Sequence, residues 1–260
     1  SSLPIVEENN KREITFKDKL ALDKISFSYS KTDSPIFEDL DFELKTGEVV
    51  GIIGPSGVGK STFTNIIVGF LHSFEGDFKV DGTLINHSTS PQWRKQLGYV
   101  SQSIYLIDDT ISANIAFGEE PHEIDNQRME NAIKKAQLYS FIQSLPNQLE
   151  TVVGERGAQL SGGQQQRIGI ARALYHDPKL LILDEATSAL DEETEKYVME
   201  AVEGLKGEMT ILIITHRLST LACCDKIYKV DQKKLVEQMT NFMNNLNNED
   251  DSILWEDLDE

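Results

Sequence analysis

Glu48-Val49-Val50-Gly51-Ile52-Ile53-Gly54-Pro55-Ser56-Gly57-Val58-Gly59-Lys60-Ser61-Thr62 is the stretch on which the reading of this chain turns. Its apolar start predicts a buried strand that breaks at a glycine-rich turn. Beyond the turn, Phe63, Ile66, Ile67, Phe70, Leu71 and Phe74 recur at helical spacing. Between strand and helix stand a glycine, four residues, then Gly-Lys-Ser, the spacing of a phosphate-binding loop. The glycines let the main chain curl until successive N–H groups converge on one anion, and the helix beginning near Lys60 aims its positive end at the same point. Gly54, Pro55, Ser56, Gly57, Val58 and Gly59 are the expected cradle of a nucleotide's phosphates. Lys60 is expected to bridge the β- and γ-phosphates, Ser61 to ligate Mg²⁺ and Thr62 to stand near the α-phosphate.

Upstream, 24–29 and 37–44 alternate apolar and polar residues, so the chain opens with antiparallel β structure. Downstream, 108–145 turns helical, with Met129, Ala132, Ile133 and Ala136 on one stripe and Pro146 as the stop. From Ser161 onward helices alternate with the apolar runs 180–183 and 211–214, which predicts a mostly parallel sheet with helices on its faces. The fold class is therefore α/β. Residues 1–13 are polar and charged, ahead of the domain at 14–238, and 239–260 read as an acidic, solvated tail in which Ile253, Leu254 and Trp255 are the apolar exceptions.

With 260 residues, the chain is long enough to bury a core without disulfides or a structural metal. Its 43 acidic and 25 basic side chains leave a formal charge of −18, which argues against whole-surface binding of nucleic acid or anionic lipid. Any anion it binds must be held locally. The apolar runs fall far short of the roughly 18 to 20 residues that span a bilayer. Residues 1–10 lack a secretory pattern, and adjacent Cys223 and Cys224 read as reduced structural thiols, so a cytosolic setting is expected.

Leu180-Leu181-Ile182-Leu183-Asp184-Glu185 places two acids at the end of a buried strand, where desolvation is costly unless a cation is near. Asp184 is the expected holder of Mg²⁺ and Glu185 the group that orients or deprotonates an attacking water. A helix-capping pair before Thr187 is the structural alternative.

Leu160-Ser161-Gly162-Gly163-Gln164, followed by Gln165-Gln166-Arg167, resembles the signature of the ATP-binding cassette family. Physically, Ser161 and two glycines open a helix, a second anion-ready terminus. Tyr29 is placed like the family's adenine-stacking aromatic. Gln102, in Tyr99-Val100-Ser101-Gln102, resembles the glutamine joining core to helical insertion. Ser188-Ala189-Leu190-Asp191 resembles the loop that crosses to a partner subunit, and His216 the switch histidine. The matches cover 29–216 in the family's order.

This resemblance implies a RecA-like phosphate-loop core with a mixed, mostly parallel sheet, an antiparallel β subdomain and an α-helical subdomain at about 103–168. It implies ATP and Mg²⁺ as cofactors and Lys60, Gln102, Glu185 and His216 as catalytic. Tyr29, the loop 54–62, Ser161, Gly162, Gly163, Gln164 and Asp191 become nucleotide contacts, and Ser61, Gln102 and Asp184 metal ligands. The family clamps the γ-phosphate between the phosphate loop of one subunit and the signature of another, so a second copy of this chain is an expected partner. Sequence alone fits clamping within one chain equally well.

The segments 102–118 and 151–157 resemble exporters, and the wording of 99–118 and 171–175 is similar to flippases of lipid-linked oligosaccharides. That branch implies a transmembrane domain, fused upstream, with 1–13 as the linker stub, and a place on the cytoplasmic face of a membrane, the inner one in a bacterium. Exporters carry glycines around Lys233 and Met239; their absence here leaves the last strand's register open. A cassette ATPase acting on nucleic acid or ribosomes is the alternative. Against it stand the acidic balance, a single cassette and the lack of sustained heptads between Lys60 and Asp184.

Overall fold

The computed structural model describes residues 14–30, 33–188 and 190–238. Strand β1 (Lys19–Phe27) pairs antiparallel with β2 (Phe37–Lys45), and β3 (Val49–Ile53) leads through the glycine-rich turn into helix α1 (Lys60–Ile67). Strands β4 (Glu75–Val80) and β5 (Thr83–Leu84) extend the first sheet, whose order is β2-β1-β4-β5. Helix α2 (Ser90–Arg94) and strand β6 (Leu97–Val100) precede three short helices, α3 (Ile111–Ile115), α4 (Asn126–Lys135) and α5 (Tyr139–Ser144). Then come α6 (Gly162–Tyr175), β7 (Leu180–Asp184), α7 (Glu192–Glu203), β8 (Thr210–Ile214), β9 (Lys226–Asp231) and β10 (Lys234–Gln238). The second sheet has the order β10-β9-β3-β8-β7-β6 and is parallel except for β10 against β9. This is the expected α/β architecture: a RecA-like core, an antiparallel sheet and a helical region.

Period-two alternation divides the core. Val49, Ile53, Leu181, Leu183, Ile211 and Ile213 face the helical side, where Ile115, Met129, Ile133, Ile168 and Val198 pack against them. Val50, Ile52, Leu180, Ile182, Leu212 and Ile214 face the other way, onto α1 and the antiparallel sheet. Because both faces are covered, β3 and β8 are apolar or small throughout apart from Thr210. Trp93 is fully buried on the antiparallel-sheet side. Its indole N–H donates to the Ile67 carbonyl at 2.7 Å, satisfying one of the acceptors left over at the end of α1.

Helix α1 is shorter than the apolar spacing predicts. It ends at Ile67, because Gly69 turns left-handed (φ 73), and Phe70 lies exposed instead of extending the stripe. Tyr29 falls just beyond β1 rather than on it. Pro146 acts as expected: Leu145, ahead of it, is extended and α5 has stopped. The register left open at the last strand resolves into a two-residue hairpin, with Lys234 opposite Asp231 and with Gln232 (φ 43) and Lys233 (φ 67) supplying the left-handed turn that glycine favours.

Ile14 and Phe16 are buried ahead of β1, and one carboxylate pins the backbone that follows them. Asp81 accepts from the N–H groups of Lys17, Asp18 and Lys19 at 2.7, 3.0 and 3.0 Å. Cys223 and Cys224 are buried and unbridged. Among the described residues no helix is long and apolar enough to cross a membrane. The expectations for 1–13, for Ala189 and for 239–260, including Met239, Ile253, Leu254 and Trp255, lie outside the described residues.

Candidate functional site

Strands β3, β8 and β7 lie side by side and parallel, so their C-terminal ends deliver three loops to one edge of the sheet. The glycine-rich turn follows β3, Thr215 and His216 follow β8, and Asp184 and Glu185 close β7. Ser56, Gly57, Gly59, Lys60, Ser61, Thr62 and Glu185 line a cavity there of about 160 Å³.

Gly59 caps α1 with φ 118, and a Cβ on it would come within 2.7 Å of Ile36. Glycine is therefore required on both conformational and steric grounds. Lacking a side chain, this cap leaves the first amides of α1 unsatisfied, and no acid stands in the first turn. That is the electrostatic signature of an anion site.

Lys60 is buried (7% exposed), and its ammonium donates to the carbonyls of Gly54 at 2.7 Å and Pro55 at 3.0 Å. Burial lowers its pKa, opposed by the charges of Glu185 and Asp184. Oε1 of Glu185 lies 3.9 Å from Lys60 Nζ and 3.7 Å from His216 Nδ1, so one carboxylate stands between an ammonium and an imidazole. Glu185 also has a left-handed backbone (φ 51), held by its N–H donating to the Ile214 carbonyl at 2.8 Å. A carboxylate so placed can accept a proton from a water and keep its orientation while doing so.

Asp184 behaves differently. Burial pushes its pKa up and the Glu185 charge adds to this, while a 2.8 Å hydrogen bond from the Tyr99 hydroxyl to Oδ2 opposes it. Burial and that same bond raise the Tyr99 pKa. The Gln102 side-chain amide donates to Ser188 Oγ at 2.9 Å, and Ser188 Oγ donates to the Glu185 carbonyl at 2.9 Å. Gln102 is thus tied through Ser188 to the main chain of Glu185.

Tyr29 is 62% exposed, meets Phe27 edge-on at 5.0 Å, and shares a 3.0 Å hydroxyl contact with Thr62. Its ring is open to solvent and its hydroxyl touches the phosphate-loop helix.

Ser161, Gly162, Gly163, Gln164 and Asp191 do not line the phosphate cavity. Ser161 and Gln164 form a reciprocal capping box at the start of α6, while Asp191 caps α7 through the Thr194 amide at 3.0 Å and hydroxyl at 2.8 Å. These two termini touch: a Cβ on Gly163 would lie 2.1 Å from Thr194 Cγ2. Signature and crossing loop are therefore packed as one unit.

Three residues join the site without having been singled out as candidates, although Tyr99 and Ser188 fall within stretches quoted above. Tyr99 and Ser188 act through the hydrogen bonds above. Arg217 donates to the carbonyls of Ser188 at 3.1 Å and Leu190 at 2.8 Å and pairs with buried Glu195, joining the loop after β8 to the loop after β7. An arginine directly after the switch histidine was the available signal.

Residues 37–188 match the family profile described as ABC transporter. The ATP-dependent lipid A-core flippase of Cupriavidus pinatubonensis is 41% identical over 226 residues, 86% of this chain and 38% of that protein. Its counterpart in Saccharophagus degradans is 42% identical over 221 residues, 85% of this chain and 37% of its own. Among solved structures, a bacterial Atm1-family ABC exporter with ATP bound superposes with a TM-score of 0.78 at 37% identity, covering 94% of this chain and 42% of that one. This chain thus spans less than two-fifths of the length of these flippases. With the phosphate loop, the paired acids and His216 assembled on one sheet edge, the chain belongs to the ABC transporter family.

Proposed function

We propose that this chain binds and hydrolyses ATP as the motor domain of a membrane exporter of the flippase kind. The observation that carries this reading is the convergence of Lys60 and His216 on Glu185, at the wall of the phosphate-loop cavity. Lys60 and the amides of the loop grip the β- and γ-phosphates. Glu185 takes the proton of the attacking water, and His216 steadies Glu185 and the γ-phosphate. Tyr29 offers its exposed ring to the adenine.

The donor set suits Mg²⁺. Ser61, Asp184 and Gln102 would offer only hard oxygen ligands. Mg²⁺ held by these residues would supply neutralisation of the charge on the phosphates.

Ser161, Gly162, Gly163, Gln164 and Asp191 are read as contacts to a nucleotide held by a second copy, arranged head to tail. Residues 14–238 form the ATPase domain, with a helical part at 103–168; 1–13 form a linker and 239–260 an acidic tail. The remaining length of the relatives corresponds to a transmembrane domain, fused upstream, that holds this domain on the cytoplasmic face of a membrane, the inner one in a bacterium. Phosphate release from ATP, measured with and without Mg²⁺, tests the reading. Mg²⁺-dependent turnover is expected; none, in a protein that still binds ATP, overturns it.

A further inference from the structure

We infer that Tyr99 is a positioning residue for the metal-holding carboxylate of Asp184, fixing one of its two oxygens so that the other is the one presented to the cation. The inference rests on the reading of Asp184 given above. Strand register makes the contact possible. Strands β6 and β7 are parallel, with Tyr99 opposite Ile182. Side chains of 182 and 184 project from the same face, about 6.6 Å apart along the strand. A tyrosine opposite 182 is long enough to lean along that face and reach 184, and the hydroxyl does so, at 2.8 Å from Oδ2.

Packing does not account for this ring. Tyr99 is 46% exposed, so a phenylalanine would fill the same apolar space, and what tyrosine adds is the donor. Among the described residues it is the hydrogen-bond donor to this carboxylate. Without it the Asp184 carboxylate lacks its side-chain partner and can rotate about its terminal torsion. With Oδ2 engaged, Oδ1 remains for the metal. Partners of this kind, which orient a ligand without touching the ion, are worth roughly 10- to 100-fold in metal affinity.

The experiment uses the whole chain, a non-hydrolysable ATP analogue and Mn²⁺ as the probe, read by electron paramagnetic resonance. Affinity for the analogue is measured separately with metal chelated. Tyr99→Phe is expected to weaken Mn²⁺ binding roughly 10- to 100-fold with metal-free nucleotide affinity unchanged, and Tyr99→Leu to weaken it to the same extent. If Tyr99→Phe holds Mn²⁺ like the parent while Asp184→Asn loses it, the role of Tyr99 is overturned and the metal reading of Asp184 stands. Loss in Tyr99→Leu alone assigns the effect to the ring and likewise overturns the inference. If Asp184→Asn also binds Mn²⁺ normally, the reading of Asp184 itself falls, and the inference falls with it.

Discussion

Glu185, the base in the proposed reaction, also has a strained backbone. Its left-handed backbone costs roughly 1 to 3 kcal/mol for a residue with a long side chain. The conformation is held by the Ile214 carbonyl on one side and by the Ser188 hydroxyl on the other. Those bonds engage main-chain atoms, so Glu185→Gln should leave the loop and ATP affinity intact. It should slow hydrolysis roughly 10² to 10⁴-fold, the usual worth of a positioned base. Unchanged single-turnover rates would remove Glu185 from that role. Lys60→Ala, by contrast, should weaken ATP binding itself, measurable by calorimetry, because the ammonium is half of the phosphate grip. Both residues were legible in the sequence because their spacing is dictated by chemistry. Tyr99 was not, because its partner is 85 positions away and meets it only through strand register.

At the scale of elements, the sequence spoke clearly wherever a period met an unambiguous stop. Helix α5 halts before Pro146 as expected, whereas α1 gives way at Gly69 although the apolar spacing continues to Phe74. There a left-handed glycine outweighed hydrophobic period. The β9–β10 hairpin makes the converse point, since nothing in Gln232-Lys233 announces a tight turn, yet the ladder on both sides imposes one. Left-handed conformations cost about 1 to 2 kcal/mol per residue with a side chain. The Lys233–Glu38 ion pair lost with Lys233 is half-exposed at both ends, a class worth about 0 to 1 kcal/mol. Relief of backbone strain therefore outweighs the lost pair. Replacing Gln232 and Lys233 together by Asn-Gly should stabilise the domain by about 1 kcal/mol and raise its melting temperature by roughly 2 to 4 °C. A lower melting temperature would mean that the ion pair matters more than the turn.

For the whole molecule, the charge of −18 and the separation of the signature from the phosphate cavity point the same way. Two such chains repel within the roughly 8 Å Debye length of physiological salt, and in the head-to-tail arrangement proposed above the signature would gain an anion only from a partner's nucleotide. Light scattering should find monomers without nucleotide and dimers of the Glu185→Gln variant with ATP and Mg²⁺; a tight dimer without nucleotide at low salt would contradict this. The alternation of strands and helices made the parallel sheet legible, but the order β10-β9-β3-β8-β7-β6 was not, since crossovers leave no mark on local pattern. The Asp81 clasp has a mechanical meaning. Strand β1 lies between β2 and β4, so tension applied at Ile14 along the strand loads two ladders and three carboxylate bonds together, in shear. Tension on β10, at the sheet edge, meets one ladder. A tug on the N-terminal side therefore meets more bonds acting side by side than one on the C-terminal strand does.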